Sequence, residues 1–112
     1  MALSEQLEDI AMTIISNAGT ARSASFEALE AAKNGDFAGA SEKLKTAENF
    51  ADASHKAHRE LLDLYMKGVV EGGDILISHA QDHLMCAVLA KELIAEIIEL
   101  RASAGIGKGG EV

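Results

Sequence analysis

Apolar and small residues recur at three- or four-residue steps through three stretches of about thirty residues each, and two glycine-marked breaks separate them. This is the period of a helix that turns one face toward a core. The first stretch runs from about Ser4 to Lys33, with Leu3, Leu7, Ile10, Ile14, Ala18, Ala21 and Ser25 as its stripe. The second runs from about Phe37 to Lys67, through Phe37, Ala40, Leu44, Ala47, Ala51, Ser54, His58, Leu61 and Tyr65. Between them lies "KNGDF", where Gly35 can adopt the left-handed conformation that ends a helix and Asp36 can cap the next. The second break, "GVVEGGD" from Gly68 to Asp74, offers Asp74 as cap for a third helix starting near Ile75. Proline is absent throughout, and Ala, Leu, Ile, Glu and Lys are abundant, which favours long helices. The expected fold class is all-α, with one domain over residues 1–104 and a flexible glycine-rich tail, "GIGKGGEV", over 105–112.

The third stretch is unlike the other two. Leu76, Ala80, His83, Ala87, Lys91, Ile94 and Ile98 form one stripe, and Ile75, Ile77, Leu84, Val88 and Ile97 lie outside it. A helix apolar over most of its circumference must be covered on more than one side. Two neighbouring helices cannot easily do so, and self-association is expected.

A net charge of −8 argues against nucleic acid or an anionic membrane surface as partner, since both require a cationic footprint. It suits a protein that meets basic protein surfaces. The single cysteine, Cys86, cannot form an internal disulfide, which suits a reducing compartment. The start, "MALSEQLEDI", has no cationic region ahead of its apolar residues, and no apolar run reaches the ~18 residues of a membrane span. No secretory leader and no direct membrane insertion are expected, and the chain reads as a cytoplasmic domain.

Polar chemistry is concentrated at the start of the third helix, in "SHAQDHLM" from Ser78 to Met85. At ~100° per residue, Asp82 lies about 60° to one side of His79 and His83 about 40° to the other, whereas Gln81 points about 160° away. Three ionisable groups thus share a face of the most apolar helix, where a carboxylate must be paired, hydrogen-bonded or bound to a metal. Three readings follow. The histidines can be packed residues with Asp82 as their hydrogen-bond partner. His79, Asp82 and His83 can converge on a zinc-like ion, with His55 and His58 as remote further ligands. Or an imidazole can attack a phosphoryl group and carry it as phosphohistidine. Spacing alone does not choose. Cys86 reads as a small packing residue, because nothing cationic nearby would activate its thiol. Arg22, the only arginine of the first helix, reads as one half of a surface ion pair, with a role near the site as the alternative.

"HAQDHLM" at His79–Met85, followed by "AKELIAEIIEL" at Ala90–Leu100, resembles the signature helix of the lactose/cellobiose/diacetylchitobiose class of enzyme IIA of the sugar phosphotransferase system. "IISNAGTARS" at Ile14–Ser23 resembles that family's first-helix motif, and "AAKNGDFAGA" at Ala31–Ala40 its first inter-helix turn. The matches fall in family order over nearly the whole chain. The resemblance implies an antiparallel three-helix bundle, up-down-up, assembling as a homotrimer. It implies that His79 takes phosphate from the histidine phosphocarrier protein and gives it to a cysteine of the cognate enzyme IIB. It implies that Asp82 joins its symmetry mates on the threefold axis around one divalent cation per trimer, usually taken as magnesium, with His79 in a groove between subunits. Gln81 and His83 are candidates for contact with the phosphoryl group or its neighbours, across a subunit boundary if need be. "ASHKAHRELLDLYMKG", from Ala53 to Gly68, departs from the family pattern and puts partner contacts in that region in doubt. The first-helix motif leans toward the cellobiose or chitobiose branch, but the sugar is not written in this chain, because the membrane subunit recognises it. The opposing reading is a non-enzymatic helical module whose His and Asp set the register of an oligomer. A metal-dependent four-helix enzyme is disfavoured, since its paired Glu-x-x-His motifs are absent.

Overall fold

The computed structural model describes residues 3–68 and 75–105. Three helices account for nearly all of them: α1, Leu3–Lys33; α2, Phe37–Met66; and α3, Ile75–Ala104. Asp74, expected as the α3 cap, and residues 106–112 of the expected flexible tail lie outside the described residues.

The first turn folds as its sequence dictates. Gly35 has φ 80°, and the amides of Gly35 and Asp36 donate to the carbonyls of Ala32 and Ala31 at 3.0 and 2.9 Å, the paired bonds that close a helix with a left-handed residue. The Asp36 carboxylate then accepts from the Gly39 amide at 2.9 Å and caps α2. A Cβ built at Gly39 would run into that carboxylate, so the cap and a side chain at position 39 exclude each other. Asp36→Ala is expected to lower stability by about 1 kcal/mol in urea unfolding. Gly39→Ala should be close to neutral, since ~1 kcal/mol of helix propensity gained is offset by a cap lost.

The core is built mainly from alanine. Ala21, Ala28, Ala32, Ala40, Ala47 and Ala80 are fully buried, so the helix backbones approach closely. Ala11 and Ile14 of α1 cluster with Ala57 and Leu61 of α2 and with Ala80 and Leu84 of α3. Ala28 and Ala32 cluster with Ala40, Ile94 and Ile98 at the far end. The start of α1 thus meets the end of α2 and the start of α3, which is up-down-up topology. Buried Ser54 donates its hydroxyl to the Ile14 carbonyl at 2.9 Å and ties α2 to α1.

Leu3 apart, whose side chain lies outside the described residues, the expected stripes line the core with two differences. Tyr65, in the last turn of α2, is exposed. Leu84 is only 1% exposed and belongs to the core, while His83 and Lys91 are half-buried at the edge of the α3 face. Cys86 is exposed rather than packed. The outward face of α3 is apolar: Leu89, Leu93 and Leu100 are 57%, 54% and 68% exposed. No helix among the described residues is long and apolar enough to cross a membrane.

Candidate functional site

The polar cluster of α3 opens onto a groove of about 310 Å³ between α1 and α3, lined by Ala18, Arg22, His79, Asp82, His83 and Cys86. Because α1 and α3 run in the same direction, successive turns of α1 follow α3 along this groove, and small Ala18 leaves room opposite the histidines. One turn of helix separates His79 from His83. Their rings meet edge to face, with centroids 4.5 Å apart, and their Nε2 atoms lie 3.0 Å apart. In that contact one nitrogen must donate its proton and the other must accept with its lone pair. His79 is exposed and His83 half-buried, so His79 is the imidazole that a visiting macromolecule can reach.

Asp82 lies in the same groove and is exposed. Among the described residues it has no hydrogen-bond or ion-pair partner. It therefore does not serve as hydrogen-bond partner to either histidine. No three His, Cys, Asp or Glu side chains among the described residues converge on a metal position. Within one chain Asp82 is a free, hard oxygen donor, fitted to a divalent cation only if other copies supply the remaining oxygens. It shares the outward face of α3 with apolar neighbours. Ile75, Asp82, Leu89, Leu93 and Leu100 follow at steps of 7, 7, 4 and 7 residues, the spacing of a coiled-coil seam, and all five are exposed.

Gln81 faces the other way, as its angular position requires. Its side-chain nitrogen lies 3.2 Å from Nε2 of His58 and joins α3 to α2. The structure thus brings His79, Asp82 and His83 to one groove and sets Gln81 apart with His58. Burial, and secondarily the charge of His55, hold the His58 pKa below its ordinary value. The sign follows from linkage: the unfolded chain takes up a proton near pH 6.5, where folded His58 still resists one. Stability is therefore full above about pH 6.5 and falls as the pH drops from there toward the folded pKa. His58→Gln should flatten this part of a urea-midpoint profile measured from about pH 7.5 to 5.5.

Arg22 is the residue whose place the sequence did not settle. It forms no ion pair among the described residues; its guanidinium carbon sits 5.1 Å from the centroid of the Phe26 ring. Only the register of α1 against α3 carries it into the histidine groove.

Residues 9–102 match the sequence family described as "PTS system, Lactose/Cellobiose specific IIA subunit". The chain is 40% identical over 100 residues to the N,N'-diacetylchitobiose-specific EIIA component of Escherichia coli, covering 86% of this chain and 83% of that protein. It is 40% identical over 98 residues to the lichenan-specific phosphotransferase enzyme IIA component of Bacillus subtilis, covering 88% and 89%. The crystal structure of the cellobiose-specific enzyme IIA from Bacillus anthracis superposes with a TM-score of 0.83 at 38% identity, covering 93% of each chain.

Proposed function

The chain belongs to the lactose/cellobiose-specific IIA family of the phosphotransferase system, a family of phosphotransferase components, and from that premise we propose that it is a cytoplasmic phosphoryl carrier acting through His79. The observation that carries this reading is an exposed imidazole in an open groove, with its Nε2 atom 3.0 Å from a second imidazole nitrogen. In the resting contact His83 donates its Nε2–H to His79; as the donor docks, that hydrogen bond opens, and the freed Nε2 lone pair of His79 is the attacking pair. The P–N bond of the donor, the phosphorylated histidine phosphocarrier protein, breaks as a P–N bond to His79 forms. The Nε2–H of His83, released from His79, donates instead to a phosphoryl oxygen. In the second step the P–N bond on His79 breaks, and a P–S bond forms to the cysteine thiolate of enzyme IIB. No oxidation change occurs, and most of the catalysis is positioning and charge stabilisation. The relatives named for diacetylchitobiose, lichenan and cellobiose support a β-linked disaccharide of the cellobiose/chitobiose/lactose type as the transported sugar.

The working form is a homotrimer in which the outward seam of α3 packs around a threefold axis. This covers Leu89, Leu93 and Leu100 and brings three Asp82 carboxylates together. A divalent cation, magnesium by preference, would be held there by Asp82 of three chains. Bound, it offsets repulsion among the carboxylates, and no step of phosphoryl transfer passes through it. His79, about 60° around the helix from Asp82, then stays off the axis at the border between subunits.

Incubation with labelled phosphoenolpyruvate, enzyme I and the histidine phosphocarrier tests this reading. The expected result is about one acid-labile, alkali-stable phosphate per chain. Absence of label would favour the helical interaction module, with Asp82 and the histidines as a polar register element.

A further inference from the structure

We infer that Arg22 is the cation that receives the phosphoryl group on His79, a deepening that rests on His79 being the phosphoryl acceptor. The groove presents a charge problem. A phosphoryl group on His79 brings close to two negative charges into a space that already holds the Asp82 carboxylate. His83 offers one N–H to offset this. Among the residues lining the groove, Arg22 alone carries a permanent positive charge.

Arg22 is also free of any ion pair, as are Lys45, Lys56, Arg59 and Arg101 among the described cations, and of these five it alone lines the histidine groove. The protein has 18 acidic and 10 basic side chains, so carboxylate partners are plentiful. Lys33, Lys43, Lys67 and Lys91 are each paired, with Glu30, Glu27, Asp63 and Glu48 respectively. Glu27 and Glu30 line the neighbouring hollow together with Arg22, yet both are engaged by lysines. Arg22 instead rests over Phe26, itself half exposed to solvent. A cation–π contact at an exposed site is weak, whereas a charge-assisted fork of two N–H groups on phosphate oxygens is among the stronger polar contacts available. The guanidinium is therefore parked at the edge of the groove and exchanges the ring for the phosphoryl oxygens when His79 is loaded. When the group leaves for the acceptor thiolate, Arg22 returns to Phe26. In this role it touches the reacting group and is catalytic, with Phe26 as a positioning residue.

The test uses the full chain, with phosphoenolpyruvate, enzyme I and the histidine phosphocarrier as the phosphate source. Arg22→Gln should still reach the wild-type stoichiometry but load roughly 10- to 100-fold more slowly. Arg22→Lys should recover part of that rate, since it keeps the charge and loses the fork. Slower loading alone could reflect docking of the phosphocarrier. A second readout therefore uses isolated, ¹⁵N-labelled phosphoprotein with no partner present. The Nε–Hε resonance of Arg22, identified by its disappearance in Arg22→Lys, should move on phosphorylation. Unchanged circular dichroism of the variants is the control for folding. Arg22→Gln loading at the wild-type rate, or an Arg22 resonance unmoved by phosphorylation, would overturn the assignment while leaving His79 as acceptor. If the wild-type chain takes up no phosphate, both readings fall.

Discussion

His79→Gln is expected to abolish phosphoryl uptake completely, taking the label from about one per chain to background, while helicity and the unfolding midpoint stay near wild type. The amide matches the imidazole in size and can still bond to His83, but its nitrogen has no lone pair free to attack phosphorus. His79 is exposed and outside both core clusters, so the substitution removes chemistry and little packing. The informative control is His83→Gln. The Nε2–Nε2 contact is nearly symmetric, and geometry alone allows either ring to be the nucleophile. Exposure breaks the tie, because a donor protein reaches His79 first. His83→Gln should therefore still load, about tenfold more slowly, for the loss of one hydrogen bond to a charged group in an open site. Label lost in His83→Gln and kept in His79→Gln would move the nucleophile one turn along α3.

How far such a site can be read without coordinates depends on the range of the interactions that make it. The end of α1 and the start of α2 were readable because Gly35 and Asp36 act within a few residues of themselves. The opposition of Gln81 to His79 was readable because it depends only on the helical angle. Arg22 was not: about sixty positions separate it from the histidines, and only the α1–α3 register joins them. The His58–Gln81 bond is hidden for the same reason. Leu84 illustrates a different limit. On a helix apolar all round, periodicity does not say which apolar face turns inward, so a core leucine was placed outside the main stripe. Cys86 reads as packing from sequence because Arg22, the cation that lines the same groove, is remote in sequence. Local chemistry is written in the residues themselves, and the groove is written in how alanine-rich helices slide against one another.

The second large effect concerns assembly, where Asp82 and its leucine neighbours should respond in opposite directions. If α3 packs about a threefold axis, Leu93→Glu places three carboxylates at a dry seam with no cation provided for them. Burying an unpaired charge costs several kcal/mol per ion, more than the part-burial of a leucine supplies. The expected result is dissociation at micromolar concentration, read by light scattering as a fall from three times 11.8 kDa to 11.8 kDa. Asp82→Leu should do the reverse. Replacing buried ionic groups with apolar side chains of similar volume is commonly neutral or stabilising by about 1–4 kcal/mol. This variant should stay trimeric, melt above the metal-free wild type and lose all response to chelator, whereas chelator should lower the wild-type midpoint. Phosphate uptake at His79 should survive in Asp82→Leu, because the carboxylate forms no bond to the transferred group. Two observations would remove the shared-axis arrangement: a wild-type chain monomeric at micromolar concentration, or a Leu93→Glu variant that assembles as before. Should both variants dissociate, the cation would be holding the subunits together and apolar packing would be secondary. The coiled-coil spacing of Ile75, Asp82, Leu89, Leu93 and Leu100 favours the opposite order. In the proposed trimer, Asp82 would be a polar element that fixes the subunits in register at a cost in stability, with the leucines supplying the adhesion.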